Sequence, residues 1–321
     1  MAASSNVTTL TSLYAELNKF CQNGDYDRAI KSANKILHQY CDEQKAFHCK
    51  IICLIQLGKF QEALQAINKL PKLSADLDFE KVYIKYRLNE TQDALETVNT
   101  ISNPSLKLKE LKAQILYRLE RYDECFEVYK EIIKNSNDEY EDERETNLSA
   151  VIANMSIDGS EKSVPELREH TYELAYNAAC KLIGQEKFLE ADKKLKIAEK
   201  LCRESLEEDG TPEEEIEEEL GIIKAQQAYC MQVQGREKEA QIIYNTILKN
   251  KPDDMGLVAI ACNNSITLNR DQNVFDSKKK IKSVTGDGLQ HKLTSRQRKI
   301  IAVNQCLLTI FTNQVNYSTF L

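Results

Sequence analysis

"NGDYDRAIKSANKIL" (residues 23–37) decides the fold, because its arrangement returns along the chain. In it, a glycine turn precedes an aromatic residue, a small residue stands three positions later, and apolar residues follow in helical steps. The stretches "LGKFQEALQAINKL" (57–70) and "LERYDECFEVYKEII" (119–133) are further copies. Aligned copies place these residues at the aromatic position, here called the anchor: Tyr26, Phe60, Thr91, Tyr122, Phe188 and Glu237. The small position three residues later holds Ala29, Ala63, Ala94, Cys125, Ala191 and Ala240.

This arrangement predicts pairs of helices packed at close range. We expect the anchor to begin the second helix of each pair, and the small residue to let the two backbones approach where a larger side chain would separate them. One pair does not bury its apolar face alone, so the pairs are expected to stack. Further apolar residues follow at helical spacing, namely Ala33, Ile36, Ile67, Leu70, Val98, Ile101, Tyr129, Ile132, Leu195, Ala198, Tyr244 and Ile247.

The spacing of the copies resembles that of the tetratricopeptide repeat family. Phe60 follows Tyr26 by 34 residues, the period of that family, and the resemblance covers residues 10–252. It implies an all-α fold, a right-handed superhelix of the α-solenoid type. The step of 66 residues from Tyr122 to Phe188 is close to two periods and predicts one degenerate repeat around "NLSAVIANM" (147–155).

The pattern divides the chain into six predicted regions. They are a flexible N-terminus (1–9), four repeats (10–136), a degenerate repeat or connector (137–170), further repeats with an acidic insertion at 204–219 (171–265), a basic connector with a capping helix (266–314), and a tail (315–321) that does not resemble the family. The capping helix is expected at "SRQRKIIAVNQCLLTIF" (295–311).

The composition fits a helical protein. The 321 residues include ten glycines, five prolines and no tryptophan, and 42% are hydrophobic. The N-terminal stretch "MAASSNVTTLTSLYAEL" lacks the basic and apolar regions of a signal peptide, and no apolar run approaches the roughly 18 residues of a membrane span. We therefore expect a cytoplasmic protein whose ten cysteines serve as small packing residues rather than disulfides.

Charge is unevenly distributed along a chain whose formal net charge is −7. The stretch 204–219 holds ten acidic side chains and no basic one, which is typical of a solvated extension. The stretch 278–299 holds eight Lys or Arg against one Asp. It is either a solvated connector or a contact for phosphate or an acidic partner, through Lys278, Lys279, Lys280 and Lys282. No aromatic residue lies within this basic stretch, so a stacking platform for single strands is not expected.

No catalytic motif is present in the sequence. We find no G-x-x-x-x-G-K-[ST], G-x-G-x-x-G, H-E-x-x-H or G-x-S-x-G. Cys49 and Cys53 are four residues apart beside His48, but no second pair follows at the spacing of metal ligands. We therefore expect a non-catalytic binding protein that needs no cofactor and no metal.

In the tetratricopeptide family the first helix of each pair usually lines a concave groove. The register predicts a partner-binding groove formed by Tyr14, Asn18, Lys45, His48, Gln56, Phe79, Tyr83, Tyr86, Arg87, Lys107, Gln114, Tyr117 and Arg118. "YRLNE" and "YRLER" repeat a Tyr–Arg pair, a combination that binding hot spots favour. Alternatively, the tyrosines pack between repeats and the arginines pair with nearby glutamates. The Lys and Asn clamp that grips a terminal carboxylate in some members is absent, so an extended or helical protein segment is the expected ligand.

Four stretches resemble a narrower family, the large tetratricopeptide subunits of the eukaryotic signal recognition particle. They are "LERYDECFEVYKEI", "DEYEDERETNLSAVIA", "DQNVFDSKKKIK" and "KLTSRQRKIIAVNQCLLTIFTNQ". The resemblance runs from about residue 10 to Gln314 and implies a non-catalytic scaffold whose N-terminal repeats grip the C-terminal part of the 68-kDa subunit. It also implies that this heterodimer sits on the particle RNA and supports co-translational targeting to the endoplasmic reticulum.

Two other functions stay open at this point. The lysine-rich tail with which that family binds RNA is not among these residues, so RNA contact is expected only indirectly, through the partner. The first alternative is a tetratricopeptide adaptor of another assembly. The second is direct RNA contact through the basic residues 278–299.

Overall fold

The computed structural model describes residues 9–136, 138–284 and 286–311. All regular secondary structure within these ranges is helical. The α-helices are α1 Leu10–Gln22, α2 Tyr26–Gln39, α3 Gln44–Gln56, α4 Phe60–Lys69, α5 Asp78–Arg87, α6 Thr91–Asn99, α7 Leu106–Arg118, α8 Tyr122–Asn135, α9 Glu141–Ile157, α10 Tyr172–Gly184, α11 Phe188–Glu208, α12 Glu213–Val233, α13 Glu237–Asn250, α14 Met255–Asn269, α15 Val274–Ser283 and α16 Ser295–Phe311. A short 3-10 helix, Asp287–His291, precedes α16.

The chain forms two compact units, which divide between residues 135 and 136. The first unit contains α1 to α8, and the second contains α9 to α16. Nearly all of the predicted flexible N-terminus (1–9) and the whole of the predicted tail (315–321) lie outside the described residues. No helix of the described part is long and apolar enough to cross a membrane.

The predicted register of the helix pairs is confirmed. Each of the six anchor residues is the first residue of a second helix, at the start of α2, α4, α6, α8, α11 and α13. Each of the six small residues has 0% exposure. A larger side chain at these positions would force the paired helices apart, which is why alanine or cysteine stands there.

Every turn within these pairs has the same geometry. The residue two positions before the anchor adopts the left-handed conformation, with φ between 59° and 81°, at Gly24, Gly58, Asn89, Glu120, Glu186 and Gly235. The next residue donates its N–H to the carbonyl five positions earlier, at 2.9–3.0 Å. This is the Schellman ending of a helix, which satisfies carbonyls that the helix leaves without a partner.

The apolar residues predicted to follow the anchors are buried, with two exceptions. Leu70 is 44% exposed, contrary to prediction, because α4 ends at Lys69 and Leu70 already belongs to the turn that follows. Ile101 is only half-buried for the same reason, since α6 ends at Asn99. The helical spacing therefore holds only as far as each second helix extends.

The predicted degenerate repeat contains one helix instead of two. Helix α9 ends in the same Schellman turn, with Gly159 at φ 78° and the N–H of Ser160 bonded to the carbonyl of Met155 at 2.9 Å. The next helix, α10, begins only at Tyr172. Residues 158–171, here called the strap, contain no helix.

Pro165 explains why the strap is not a second helix. By the register of the other turns, such a helix would begin two residues after Gly159, at Glu161, and Pro165 would stand in its interior. A proline there lacks the N–H for the helical hydrogen bond and clashes with the preceding turn. The small position, three residues after the anchor, would be Val164, which is larger than the alanine or cysteine at the other six sites.

Helices α9 and α10 lie side by side and run in the same direction. The side-chain amide of Asn177 on α10 donates to Ser149 Oγ on α9 at 2.8 Å. Closer to the C-terminal end of both helices, Ser156 Oγ on α9 donates to the carbonyl of Lys181 on α10 at 3.0 Å. At Gly184 the backbones meet, since a Cβ there would lie 2.6 Å from the backbone N of Ile157. Both helices therefore have the role of first helices, and the strap connects them where a second helix is expected.

The charged stretches lie mainly on helices. The acidic stretch 204–219 covers the end of α11, a turn at Gly210, and the start of α12. Arg203 bonds to both Glu213 and Glu217 across this turn, at 2.9 and 2.5 Å. Most of the basic stretch lies on α15, the 3-10 helix and the start of α16, and α16 has the predicted bounds 295–311.

Candidate functional site

The thirteen residues predicted to form the groove all lie on the first helices of the first unit. They are distributed over α1, α3, α5 and α7. The structure separates them into two groups, described below: side chains that join one repeat to the next, and polar side chains that remain exposed.

Two of the predicted residues join successive first helices through carboxylates that the sequence did not single out. The Tyr14 hydroxyl on α1 donates to Glu43 Oε2 at 2.8 Å. His48 Nε2 on α3 lies 2.8 Å from Glu80 Oε1 on α5. Burial, together with the Glu43 carboxylate, raises the pKa of Tyr14 to about 12. Both carboxylates lie at or near the start of the following first helix, a position that could have indicated them.

An aromatic cluster joins the second and third repeats. Phe79 and Tyr83 of α5 stack with their ring centres 6.0 Å apart, and Tyr83 meets Phe60, the anchor of α4, edge to face at 6.4 Å. The guanidinium of Arg87 lies 4.7 Å from the centre of the Phe60 ring. It also donates to the Tyr83 hydroxyl at 2.6 Å.

The second arginine of the Tyr–Arg pattern makes a different contact. Arg118 of α7 lies 3.8 Å from the centre of the Tyr86 ring and donates to the Tyr86 carbonyl at 3.0 Å. Arg87 reaches the anchor of the preceding repeat because that anchor is Phe60. The corresponding anchor for Arg118 is Thr91, which offers no ring, so Arg118 lies over Tyr86 instead.

The Tyr–Arg pattern was predicted either to line a partner-binding groove or to pack between repeats with its arginines paired to glutamates. These contacts decide between the two only in part. Tyr83 and Tyr86 do contact a neighbouring repeat, as the second alternative held, whereas Tyr117 meets Tyr122 of its own helix pair. The arginines, however, lie over aromatic rings and hydrogen-bond to Tyr83, to the Tyr86 carbonyl and to Asn89, rather than pairing with glutamates. Stacking of this kind stabilises an arginine without neutralising its charge.

Five predicted groove residues remain exposed and, within the described part of the chain, form no hydrogen bond or ion pair with other side chains. They are Asn18, Lys45, Gln56, Lys107 and Gln114. Tyr117 is 38% exposed and meets Tyr122 edge to face, with ring centres 5.5 Å apart. These residues supply donors and acceptors on three of the four first helices, α1, α3 and α7.

The basic residues predicted for phosphate or acidic partners lie on α15. Lys280 is already engaged, since its Nζ bonds Asp276 at 2.9 Å and Ser265 Oγ at 2.8 Å. Lys279 and Lys282 are exposed and Lys278 is half-buried. Phe275 precedes them on the same helix with 87% of its surface exposed, which the sequence did not single out because it lies just outside the basic stretch.

The cysteines are free and mostly buried. The described residues contain no group of three or more His, Cys, Asp or Glu that could hold a metal ion. The partner of Cys53 is Cys21 rather than Cys49, with the two sulfurs 3.9 Å apart. Burial is the main cause that raises the pKa of Cys53, to about 12, so its thiol stays protonated.

The pairing of helices, the Schellman turns and the buried small residues define a tetratricopeptide-like repeat protein. A family model, SRP_TPR_like, described as a TPR-like repeat, matches residues 22–155. A crystal structure of a tetratricopeptide repeat protein from Parabacteroides merdae aligns with 92% of this chain and 98% of that chain, at 14% identity and a TM-score of 0.47.

Among curated proteins the similar sequences are signal recognition particle subunits. The chain is 51% identical to signal recognition particle subunit SRP72 of Canis lupus familiaris and 50% identical to that of Homo sapiens, each over 95% of this chain and 46% of the relative. Identity to the Schistosoma mansoni subunit is 38%, over 99% of this chain and 45% of the relative. The chain is homologous to the N-terminal tetratricopeptide-repeat region of the SRP72 subunits, and it spans somewhat less than half of their length.

Proposed function

We propose that the chain is a repeat scaffold of the signal recognition particle that holds a segment of the 68-kDa subunit along the first helices of its first unit. The similarity to SRP72 subunits over 95% of the chain carries this proposal. In this role the protein binds and positions its partner and supports targeting to the endoplasmic reticulum without performing chemistry itself.

The first unit offers two kinds of surface to such a segment. Exposed hydrogen-bonding groups on α1, α3 and α7 come from Asn18, Lys45, Gln56, Lys107 and Gln114. Stacked side chains such as Arg87 over Phe60 provide apolar area with a charge that remains accessible at its edge. Interfaces with this mixture favour an extended or helical protein segment, because its backbone and side chains require both kinds of contact.

The arginines contribute to this surface mainly by fixing its shape. Arg87 connects α5 to α4, and Arg118 connects α7 to α5. A partner segment that spans several repeats needs a constant spacing between successive first helices. A surface fixed before binding loses less entropy on association and therefore binds more tightly.

The test is a calorimetric titration of the chain with the C-terminal region of the 68-kDa subunit. The informative variant is Lys45→Glu/Lys107→Glu, which reverses two exposed charges on first helices without touching a repeat contact. We expect it to weaken binding by about tenfold or more, because a partner group that accepts a hydrogen bond from either lysine would face a carboxylate instead. The matched control is Lys69→Glu/Lys134→Glu, with the same charge change on exposed residues of the second helices α4 and α8.

The outcomes separate the partner from its site. If only Lys45→Glu/Lys107→Glu loses binding, the result supports both the proposed partner and the proposed groove. Equal loss by both variants contradicts the groove and leaves the partner in place. A complete lack of binding by the unmodified chain contradicts the partner, and an adaptor of another assembly then becomes the better description.

One observation favours a second candidate function, direct RNA contact. The exposed ring of Phe275 lies on α15 three, four and seven residues before Lys278, Lys279 and Lys282, which is the spacing of one helical face. Bases stack on exposed rings while lysines contact the phosphates. If α15 binds RNA, affinity falls steeply with salt, and Phe275→Ala weakens binding at every salt concentration. A single-stranded RNA titration that gives no salt-dependent binding contradicts this function.

A further inference from the structure

Two adjacent charged residues of the strap bond to helices of the second unit. The Nε of Arg168 donates to Glu145 Oε2 at 2.8 Å, and its backbone N–H donates to Glu145 Oε1 at 3.0 Å. A terminal nitrogen of Arg168 also lies 2.9 Å from Asp142 Oδ1. The next residue, Glu169, forms an ion pair with Lys194 on α11. The strap thus crosses from α9 to α11 through alternating charges.

A cavity of about 470 Å³ lies beside these contacts. Its walls include Ile152 of α9, Leu174 and Leu182 of α10, and Lys194 of α11, and the strap closes one side with Leu167. A second helix packed at this place would fill such a space with its apolar face. The strap leaves the space open because an extended chain presents fewer side chains per unit length to α9, α10 and α11 than a helix does.

The strap covers this surface without being buried in it. Between residues 161 and 170 only Val164 and Leu167 are even half-buried, and the remaining side chains are exposed. The side chain of Arg168 is itself 55% exposed. Solvent-exposed ion pairs contribute little to stability, and segments with few buried apolar contacts open far more readily than the core.

The carboxylate that receives Arg168 is, in contrast, part of the scaffold. Glu145 is only 13% exposed. Its hydrogen bonds with Arg168 hold its pKa below the ordinary value of a glutamate, so at neutral pH it is charged while the strap is in place. When the strap leaves, a sheltered negative charge faces solvent beside a cavity lined in part by Ile152, Leu174 and Leu182, and both features favour a new ligand that carries an arginine after an apolar residue.

We propose that the surface of α9, α10 and α11 beneath the strap is a second protein-binding site, which takes a partner segment with an apolar residue followed by an arginine and an acidic residue. The strap residues Leu167, Arg168 and Glu169 occupy this site within the chain and mark its chemistry. A partner segment displaces them, places its arginine on Glu145 and Asp142 and its acidic residue on Lys194, and fills the cavity with its apolar side chain. This site does not depend on the groove of the first unit.

The experiment uses the full chain with its strap opened by Leu167→Gly/Arg168→Gly/Glu169→Gly. The probe is a fluorescein-labelled peptide with the strap sequence "SEKSVPELREH" (160–170), and binding is followed by fluorescence anisotropy. We expect the opened chain to bind the peptide at least about tenfold more tightly than the unmodified chain, because the unmodified chain has to release its own strap first. Adding Glu145→Gln to the opened chain is expected to remove the gain.

Two controls make the result specific. The peptide with Arg168→Glu should not bind the opened chain. Arg203→Gly, which removes another arginine that is paired with carboxylates in the same unit, should leave peptide binding at the level of the unmodified chain. Equal binding by opened and unmodified chains overturns the proposal. So does a lack of binding by both the opened chain and the milder variant Arg168→Gly, with circular dichroism showing that the helices are intact.

Discussion

In the first unit, each of four first helices is followed by a second helix, whereas α9 in the second unit is followed by the strap. The turns are alike in both regions: a left-handed residue and the same backbone hydrogen bond end the helix before Tyr26 and before Glu161 alike. What differs is the sequence after the turn, where Ala29 stands at the small position in one case and Val164, next to Pro165, in the other. The turn therefore sets only the direction of the chain. The residues three and four positions after the anchor decide whether a helix follows.

The largest expected effect is a loss of stability when a core side chain of the first unit is truncated, compared with truncation of a strap side chain. Phe47 is fully buried in the first unit, so Phe47→Ala should reduce the free energy of unfolding by about 3–5 kcal/mol. Leu167→Ala in the strap should change it far less, because Leu167 is only half-buried and already borders a cavity. Urea unfolding followed by circular dichroism measures both. Similar losses would mean that the strap is as firmly packed as a second helix.

A second variant tests the cause of the strap directly. Val164→Ala/Pro165→Ala restores a small residue and removes an interior proline, whose presence in a helix costs about 3 kcal/mol. We expect residues 161–170 to gain amide protection in hydrogen exchange, as a helix forms in their place. Val164→Ala alone is the control and should have little effect. If the double variant exchanges as fast as the unmodified chain, the proline is not the reason for the extended conformation.

The next effect is the loss of stability when a side chain is enlarged where two helices pack closely, in the second unit and in the first. Gly184→Ala would place a Cβ 2.6 Å from backbone atoms of Ile157 and Ser156 and should destabilise the protein by about 1–3 kcal/mol. Its counterpart in the first unit is Ala63→Leu, where overpacking of α3 against α4 should cost roughly the same 1–3 kcal/mol. Melting temperatures of the two variants measure this. An unchanged melting temperature for either would show that its helix pair has room to adjust.

A smaller effect should come from the left-handed turn residues. Glu120 has φ 59°, which strains any residue with a Cβ, so Glu120→Gly should stabilise the first unit by up to about 1 kcal/mol. Gly58→Ala at the equivalent position of the preceding pair should destabilise it by a similar amount. Denaturant midpoints with unchanged slopes would report these shifts. A destabilised Glu120→Gly would indicate that the glutamate side chain makes a contact worth more than the strain.

The smallest effect is a pH dependence confined to the strap. Arg168 lowers the pKa of Glu145, so the stabilisation is fully present above the ordinary glutamate pKa, about 4.3, and is lost as the pH falls through the lowered value. Hydrogen exchange in residues 160–170, corrected for the intrinsic rate, should therefore accelerate on acidification. The Arg168→Ala variant should show a weaker pH dependence, and an equal one would contradict the assignment.

Much of the fold could be predicted because the repeat constrains backbone packing. An anchor and a small residue have to occupy fixed places in a tightly packed pair, so their spacing survives even where the anchor is Thr91 or Glu237. The bounds of α16 were likewise predictable from a continuous stretch without glycine or proline. Leu70 shows the limit of this reasoning, because spacing alone does not reveal that a helix has ended.

The positions of the thirteen residues on first helices could be predicted from the sequence, whereas their contacts could not. The register places the thirteen residues on the correct helices, but it does not reveal that Tyr14 bonds to Glu43 or that His48 approaches Glu80. The two arginines of the Tyr–Arg pattern stand at equivalent points and still choose different rings, because one anchor is aromatic and the other is not. The strap does not follow from the spacing of the anchors, because it depends on where Pro165 falls relative to the turn at Gly159.

The left-handed residue and the small residue that stands five positions after it have a use in comparing sequences. This pair occurs in each of the six helix pairs that have an anchor position, from Gly24 and Ala29 to Gly235 and Ala240, including the two in which that position is not aromatic. A search that requires a glycine, asparagine or glutamate followed at this distance by alanine or cysteine would therefore detect repeats that an aromatic-based profile overlooks. Five positions after Gly159 stands Val164, which does not meet this requirement. The rule therefore distinguishes the repeat without a second helix from the six that have one.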